Sequence, residues 1–189
     1  MTIGTRPDCF SEDAAQLLAK QLEHFEEVWI EFGLESADDN VQRRIGRHDT
    51  LQNFRDACKL AHRYGLKSIA HCIAGLPEEK EDGLLRQVDE VNKANCHGIK
   101  LMVLRKTILA KQWMDGEIEL LDDKQYIQKV ADALEILDPE IIVHRLVAEA
   151  PDSEYLAPKP WPGRQNVHSR IELEMELRGS IQGCKRKTP

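Results

Sequence analysis

Ionisable side chains interrupt three otherwise apolar segments of this 189-residue chain. Lys100 lies within IKLMVL, and an interior lysine that is desolvated can act as a Schiff-base nucleophile. His71 in SIAHCIA and His144 in IIVHRL could each bind a ligand or act as a base. Arg145 follows His144 directly and could clamp an anionic substrate. Lys100, His144 and Arg145 are therefore the candidate catalytic residues.

Each of these side chains also has a purely structural interpretation. Lys100 could pair with Glu31 or reach solvent near the rim of a sheet. The two histidines could simply be hydrogen-bonded in the core, and Arg145 could form a structural ion pair. The residue types alone leave both interpretations open.

The segment EVWIEFGL carries two carboxylates on one face of a predicted strand. Strand side chains alternate, so Glu31 and Glu35 share that face with Trp29 and Gly33. Four strand residues span about 13 Å at roughly 3.3 Å each. The carboxyl pairs of glycosidases are separated by roughly 5–9.5 Å. The spacing therefore disfavours a glycosidase.

Two turns that follow predicted strands could contact a ligand through other groups. Arg47, in Gly46-Arg47-His48-Asp49, could bind a carboxylate in bidentate fashion or be solvated. Gly75, in Gly75-Leu76-Pro77, would let the backbone approach a ligand closely.

The elements that must position these residues alternate along the chain. Predicted strands cover residues 2–5, 27–34, 68–74, 99–104 and 141–146. Predicted helices cover residues 11–25, 39–45, 50–64, 81–94, 108–114, 123–137 and 166–178, the first with an apolar stripe formed by Ala14, Leu17, Leu18, Leu22 and Phe25. This order predicts a parallel sheet with right-handed crossovers, either a doubly wound sheet or a (β/α) barrel. In both folds, chemistry gathers at the carboxyl ends of the strands.

Composition limits the functional classes. The formal net charge is −7 with a pI near 5.5, which argues against a general nucleic-acid surface. No apolar stretch approaches the roughly 20 residues of a membrane span. The start shows no secretion signal, so a cytoplasmic protein is expected. The odd number of cysteines, five, without a secretion signal indicates reduced thiols. The nearest two, Cys58 and Cys72, are 14 positions apart, so there is no CxxC or CxxxCxxC clip.

Taken in order, six segments resemble one family: WIEFGLES, IGRHDT, HCIAGLP, GIKL, VHRL and LAPKPW. They are similar to the uncharacterised YhcC-type proteins of the radical SAM superfamily, in the group with coproporphyrinogen oxidase-like and elongator-like enzymes. The resemblance extends over nearly the whole chain. It implies an α/β fold, a partial TIM-like (β/α) barrel with outer helices, that binds S-adenosylmethionine and a [4Fe-4S] cluster. Such enzymes generate a 5′-deoxyadenosyl radical that abstracts hydrogen from the substrate.

The resemblance also implies which residues bind the cofactor: Glu35, Ser36, Arg47, His71, Gly75, Leu76 and Pro77. Glu35 matches the polar position that ends the Gly-Leu-Glu-Ser strand, and Arg47 matches the arginine that meets the carboxylate of S-adenosylmethionine. Gly75-Leu76-Pro77 matches the turn near the adenine. His144 and Arg145 match a family pair without an assigned role.

Departures from the family pattern shape the functional hypothesis. The CxxxCxxC loop and two early strands of the family are absent, Glu78 stands where the family has glycine, and about three residues are missing after GIKL. We therefore expect a fragment or remnant whose cluster ligands lie outside this sequence, and no metal ligands within it.

The expected organisation is a partial barrel over residues 1–150, followed by a proline-rich extension and a final helix over residues 151–189. The leading hypothesis is the S-adenosylmethionine-binding part of a radical SAM enzyme with a small-molecule or RNA substrate and no membrane partner. The alternatives are a non-catalytic binding or scaffold domain and a Schiff-base lyase that uses Lys100. Oligomeric state stays open.

Overall fold

The computed structural model describes residues 1–103, 112, 115–147 and 162–186. Five strands form one sheet: β1 (Thr2–Thr5), β2 (Trp29–Glu35), β3 (Lys67–Ala74), β4 (Gly98–Val103) and β5 (Ile142–Arg145). All neighbouring strands are parallel, and their spatial order follows the chain from β1 to β5. The predicted parallel sheet is confirmed.

This strand order distinguishes between the two predicted architectures. A doubly wound sheet needs a point at which the strand order reverses, and the described strands have none. Because parallel crossovers are right-handed, connections that always advance in one direction place their helices on one face of the sheet. The result is the singly wound curvature of a partial (β/α) barrel, as predicted.

Six α-helices accompany the described strands: α1 (Glu12–Ala19), α2 (Asp39–Arg44), α3 (Leu51–Arg63), α4 (Gly83–Lys93), α5 (Asp123–Ile136) and α6 (Arg164–Leu177). Side-chain oxygens of Ser11, Asp38, Thr50 and Asp122 accept backbone N–H bonds at four of the helix starts. The helix predicted over residues 108–114 lies almost entirely outside the described residues.

The hydrophobic core fills the space between the sheet and the helices. On β2 it contains Ile30, Phe32 and Leu34, each fully buried. Side chains of α3 and α4, including Phe54 and Val88, close over them. Burial of each such side chain contributes about 1.5–3 kcal/mol to the stability of the fold. This packed layer therefore holds the strands in place, and the side chains on their opposite face are positioned with them.

The apolar stripe predicted for the first helix is wrong at Leu17, Leu22 and Phe25, whereas Ala14 and Leu18 do pack against the core. Leu17 and Phe25 expose 61% and 43% of their surface. Helix α1 ends at Ala19 and continues as a 3₁₀ turn (Lys20–Glu23). The tighter turn changes the angular phase of the side chains, so the later apolar residues no longer project from the packed face.

The last helix, α6, packs on the core through Val167 and Ile171 and forms charged pairs with α5. Arg170 pairs with Asp123, and Arg178 pairs with Asp132 at 2.6 Å. Val167 supplies a buried apolar contact. The predicted division at residue 150 falls in the stretch 148–161, outside the described residues. Among the described helices, none combines the length and apolarity that a membrane crossing requires.

Candidate functional site

The face of the sheet opposite the core is lined by polar side chains, and we call it the inner face. It carries Trp29, Glu31 and Gly33 of β2, His71 of β3 and Lys100 of β4. Their positions along the strands divide this face into three levels: a base, a middle level and a rim at the carboxyl ends.

Two aromatic rings form the base. The Trp29 indole and the His144 imidazole meet edge to face, with centroids 5.1 Å apart. His144 reaches this position by lying over Gly98 of β4, where an added Cβ would come within 2.5 Å of the imidazole. Gly98 is therefore required because the ring crosses the backbone there. The base is an aromatic floor, and His144 contributes to it from β5.

The middle level is a hydrogen-bonded triad. Glu31 accepts bonds from Lys100 through Oε1 and from His71 through Oε2, the latter at 2.8 Å. Burial opposes the charged form of Glu31, but these two hydrogen bonds outweigh it and lower the pKa of the carboxyl. Because an ionised carboxylate only accepts, Nε2 of His71 carries the proton. The predicted pairing of Lys100 with Glu31 is confirmed.

Burial lowers the pKa of His71 below its ordinary value. The positive charges of Lys100 and Arg145 act in the same direction, while Glu31 opposes them. His71 is therefore a neutral imidazole at pH 7. Arg145, the register partner of Lys100 on the next strand, is exposed and close enough for its charge to reach this triad.

The rim is built around Glu35 and Arg47. Glu35 ends β2 after a register irregularity, with φ at +59°, a conformation that is uncommon outside glycine. The Arg47 guanidinium donates to Oε1 of Glu35 at 3.2 Å and to the carbonyl of Gly33 at 2.8 Å. A Cβ at Gly33 would come within 2.6 Å of the Glu35 carboxylate, so the glycine leaves room for this pair.

Several buried polar atoms of the rim make no hydrogen bond with a described residue. They are Oε2 of Glu35, Nε of Arg47 and Oδ2 of Asp49, of which Oδ2 of Asp49 still lies 3.6 Å from the Arg47 guanidinium as an ion pair. Burial raises the pKa of Glu35, and the charge of Arg47 only partly offsets this effect. Buried polar atoms normally have partners. The rim therefore offers a carboxylate oxygen of Glu35 to a cationic group and the Nε–H of Arg47 to an anionic group.

The turn after β3 encloses a cavity of about 480 Å³ next to α4. Gly75 has φ at +77°, and the side chain of Leu121 occupies the space that a Cβ would need. Leu76 is buried against Val41 of α2. Toward the cavity this turn therefore presents its backbone. The Leu76 side chain is buried in the local core.

A half-buried carboxylate, that of Glu79, connects this turn to the end of β2. It accepts hydrogen bonds from Ser36 at 2.8 Å and from Gln87 of α4 at 2.9 Å. Burial raises the pKa of Glu79. The Ser36 side chain is fully buried in this contact, so any role for it at a ligand would run through its backbone.

The structure thus brings some of the predicted residues together and separates others. Glu35 and Arg47 are in contact, and Lys100 and His71 share one carboxylate. The turn 75–77 lies at a different point of the rim, on the cavity beside α4. Sequence reasoning missed Asp49 and Glu79; the close placement of an acid after Arg47 and of a second glutamate after Pro77 were the available signals.

Among the described residues, no group of three histidine, cysteine, aspartate or glutamate side chains is arranged to hold a metal ion. Cys58, Cys72 and Cys96 are buried, and Cys9 and Cys184 are exposed. Burial raises the pKa of Cys72, which opposes the thiolate form that metal binding needs.

Comparison with known proteins relates the chain to one superfamily. The family model described as "Radical SAM superfamily" matches residues 1–91, and that of the "Radical_SAM C-terminal domain" matches residues 99–176. The uncharacterised protein YtqA of Bacillus subtilis is 32% identical over 97% of this chain and 58% of its own length. Protein YhcC of Escherichia coli is also 32% identical, over 97% of this chain and 61% of its own length. The chain thus spans less than two thirds of these relatives.

Solved structures support the same fold. The archaeal Elp3 of Methanocaldococcus infernus superimposes with a TM-score of 0.82 at 20% identity, over 96% of this chain and 42% of that one. Coproporphyrinogen III oxidase (HemN) of Escherichia coli, described as a radical SAM enzyme, gives a TM-score of 0.50 at 13% identity, over 94% of this chain and 32% of that one. At these identities the likeness concerns the fold.

Proposed function

Because this chain belongs to the radical SAM superfamily, among its YhcC-type proteins, we propose that it forms the S-adenosylmethionine-binding part of a radical SAM enzyme. S-adenosylmethionine, once reduced by a [4Fe-4S] cluster, supplies the radical chemistry of this superfamily. The described cysteines do not suit such a cluster, so we assign its ligands to protein outside this sequence. The substrate, a small molecule or RNA, stays open.

The observation that carries this proposal is the incomplete hydrogen bonding of the Glu35–Arg47 pair. S-adenosylmethionine ends in an α-amino acid, which presents an ammonium and a carboxylate side by side. Oε2 of Glu35 is free to accept from the ammonium. Arg47 is a cation of planar geometry suited to the carboxylate. A zwitterion thus matches both Oε2 of Glu35 and Nε of Arg47, the two atoms of the pair that make no hydrogen bond, while a simple anion or cation would match only one.

The other rim residues would position the rest of the molecule. The backbone at Gly75 and Pro77 borders the cavity that could receive the adenine, and the Leu121 side chain closes one wall of that cavity. His71, neutral and held by Glu31, would present its ring edge below the rim. Ser36 would act indirectly, since Glu79 holds it in place.

Calorimetric titration with S-adenosylmethionine tests the proposal. We expect binding by the unmodified chain and at least roughly tenfold weaker binding by Arg47→Ala and Glu35→Gln, since each variant removes a charge-assisted contact. Arg63→Ala, which breaks an exposed ion pair on α3, is the matched control and should bind normally. Binding that survives Arg47→Ala in a folded protein would refute the assignment.

The absence of a thiolate set among the described residues keeps one alternative in view, a non-catalytic binding domain. Anaerobic iron–sulfide reconstitution of this chain should give no stoichiometric [4Fe-4S] absorption. The Schiff-base lyase is less favoured, because an ion pair with Glu31 holds the Lys100 side chain and leaves its nitrogen less free to attack a carbonyl. Borohydride trapping of a carbonyl compound on Lys100 would restore it.

A further inference from the structure

The inner face of the sheet carries an excess of positive charge at its middle level. Lys100 and Arg145 are cations, Glu31 is the single described anion of the triad, and His71 is neutral. This balance contrasts with the chain as a whole, which has 33 acidic and 26 basic residues and a net charge of −7. The middle level is thus locally cationic within an acidic protein.

Arg145 has no described partner that explains its position. It makes no hydrogen bond or ion pair with a described residue, and it is exposed. By contrast, Arg47, Arg55, Arg63 and Arg170 all pair with carboxylates. A chain with so many acids could readily neutralise an arginine. Among the described residues, the Arg145 side chain is instead left unpaired at the carboxyl end of β5.

The hydrogen-bonded triad holds Lys100 at the strand level of Arg145. Both oxygens of Glu31 are occupied, one by Lys100 and one by His71, so the carboxylate fixes these side chains on the inner face. An ammonium has three donors, and Glu31 uses one of them. Lys100 therefore retains donors for a second acceptor, at the same strand level as Arg145.

We propose that the inner face binds an anionic group of the substrate, a carboxylate or a phosphate, between Lys100 and Arg145. This inference deepens the proposed function, because it assigns a substrate class to the level below the S-adenosylmethionine rim. Arg145 supplies a planar, bidentate donor and Lys100 a point charge held by Glu31. Lys100 is only 15% exposed, and such shielding from water strengthens charged hydrogen bonds.

The His71 imidazole gives a reporter for this site that does not depend on catalysis. The charges of Lys100 and Arg145 already lower its pKa. An anion bound between them would offset those charges and stabilise the imidazolium, so the pKa of His71 would rise. The change can be followed by NMR of the histidine rings, with the His71 signal assigned from a His71→Gln variant.

The experiment titrates the chain with inorganic phosphate and, separately, with acetate, at constant ionic strength set with sodium chloride. We expect a saturable rise in the pKa of His71 with at least one of the two anions; the arm that saturates at lower concentration identifies the headgroup. Arg145→Gln should weaken this binding at least roughly tenfold. Arg63→Gln, an exposed arginine on α3, is the matched control and should leave it unchanged.

Two outcomes would overturn the inference. One is a pKa of His71 that does not respond to either anion. The other is a response that persists at full strength in a folded Arg145→Gln protein. Failure here is distinguishable from failure of the proposed function. Arg47→Ala should weaken S-adenosylmethionine binding at least roughly tenfold and leave the anion response of His71 intact, whereas Arg145→Gln should weaken the anion response and leave S-adenosylmethionine binding intact.

Discussion

Lys100 on β4 bonds to Glu31 on β2 although β3 separates the two strands. Neighbouring strands are about 4.8 Å apart, so the pair bridges about 10 Å across the inner face. Both side chains are largely shielded, with 15% and 16% of their surface exposed. The pair therefore connects non-adjacent strands at a partly desolvated position.

Removal of the cation should destabilise the fold. In Lys100→Met, Glu31 keeps only His71 as a partner for a shielded negative charge, and we expect a loss of about 1–3 kcal/mol in the free energy of unfolding. Urea denaturation at pH 7 measures it. The Glu31→Gln/Lys100→Met double variant should lose less than the sum of the single losses.

Lys93→Met supplies the matched control for this change. Lys93, whose side chain is 60% exposed, pairs with Asp89 on the surface of α4 and with Glu90, which keeps Arg55 as a second partner when Lys93 is removed. Exposed pairs contribute little, so this variant should lose less than about 0.5 kcal/mol. Equal losses at Lys93 and Lys100 would show that the pair on the inner face has no special importance.

Stability should increase with pH across the histidine range. Burial lowers the pKa values of His62, His71, His97 and His144 from 6.5. Between those lowered values and about 6.5, the unfolded chain binds more protons than the folded one. The free energy of unfolding therefore falls as pH drops through this window and is fully present above it. Urea denaturation at several pH values measures the slope.

His71→Gln should make that slope shallower, since it removes one of the four groups. Glu35 and Glu79 act with the opposite sign, because burial raises their pKa values and the folded chain then holds the extra proton. Their window extends upward from 4.5 to the raised folded-state values, and within it the free energy of unfolding falls as pH rises. A slope that His71→Gln leaves unchanged would contradict the histidine assignment.

The turn after β3 carries a strained residue where the resembled family has glycine. Glu78 has φ at +62°, and its exposed side chain pairs with Arg44 at 2.8 Å. A left-handed conformation costs a non-glycine residue about 1–2 kcal/mol. Both Glu78→Gly and Glu78→Ala remove the ion pair, but only glycine relieves the backbone. We expect the glycine variant to be about 1 kcal/mol more stable than the alanine variant.

Thermal denaturation of the two variants, side by side, measures this difference. Calorimetric titration with S-adenosylmethionine shows in addition whether the turn serves the proposed adenine cavity. An alanine variant as stable as the glycine variant would mean that the backbone at position 78 relaxes out of the left-handed region.

Local sequence patterns were sufficient to predict the sheet and most helices. The strands carry short apolar runs, and Ser11 and Thr50 cap helices at the predicted starts. The pairing of Lys100 with Glu31 was also predictable, because a charge inside an apolar strand needs a partner. Each of these features depends on the residues of a single segment, or on the need of one charged side chain for an oppositely charged partner.

Features that depend on register or on close approach could not be predicted in the same way. Simple alternation predicts that Glu35 lies on the same face as Glu31. It does not predict the register irregularity and the positive φ that place Glu35 at the rim beside Arg47. His144 lies against Trp29 only because β5 is irregular opposite β4 and Gly98 lacks a side chain. The phase change after α1 is of the same kind. Each results from three-dimensional packing that no single segment encodes.

Gly98 provides the sharpest test of the aromatic floor. In Gly98→Ala, the new Cβ would lie 2.5 Å from the His144 ring, which must then leave Trp29 or shift β5. Overpacking of this kind costs about 1–3 kcal/mol. Gly4→Ala on β1 is the matched control, since nothing lies within 4 Å of its Cβ, and it should change stability by less than about 0.5 kcal/mol.

The two variants should also differ by NMR, which separates a local effect from general destabilisation. The His144 ring signals carry a ring-current shift from the Trp29 indole because the two rings meet edge to face. Gly98→Ala should move these signals toward free-histidine values, whereas Gly4→Ala should leave them in place. If the signals stay unchanged in a folded Gly98→Ala protein, the ring does not lie over Gly98 and the base of the inner face is open.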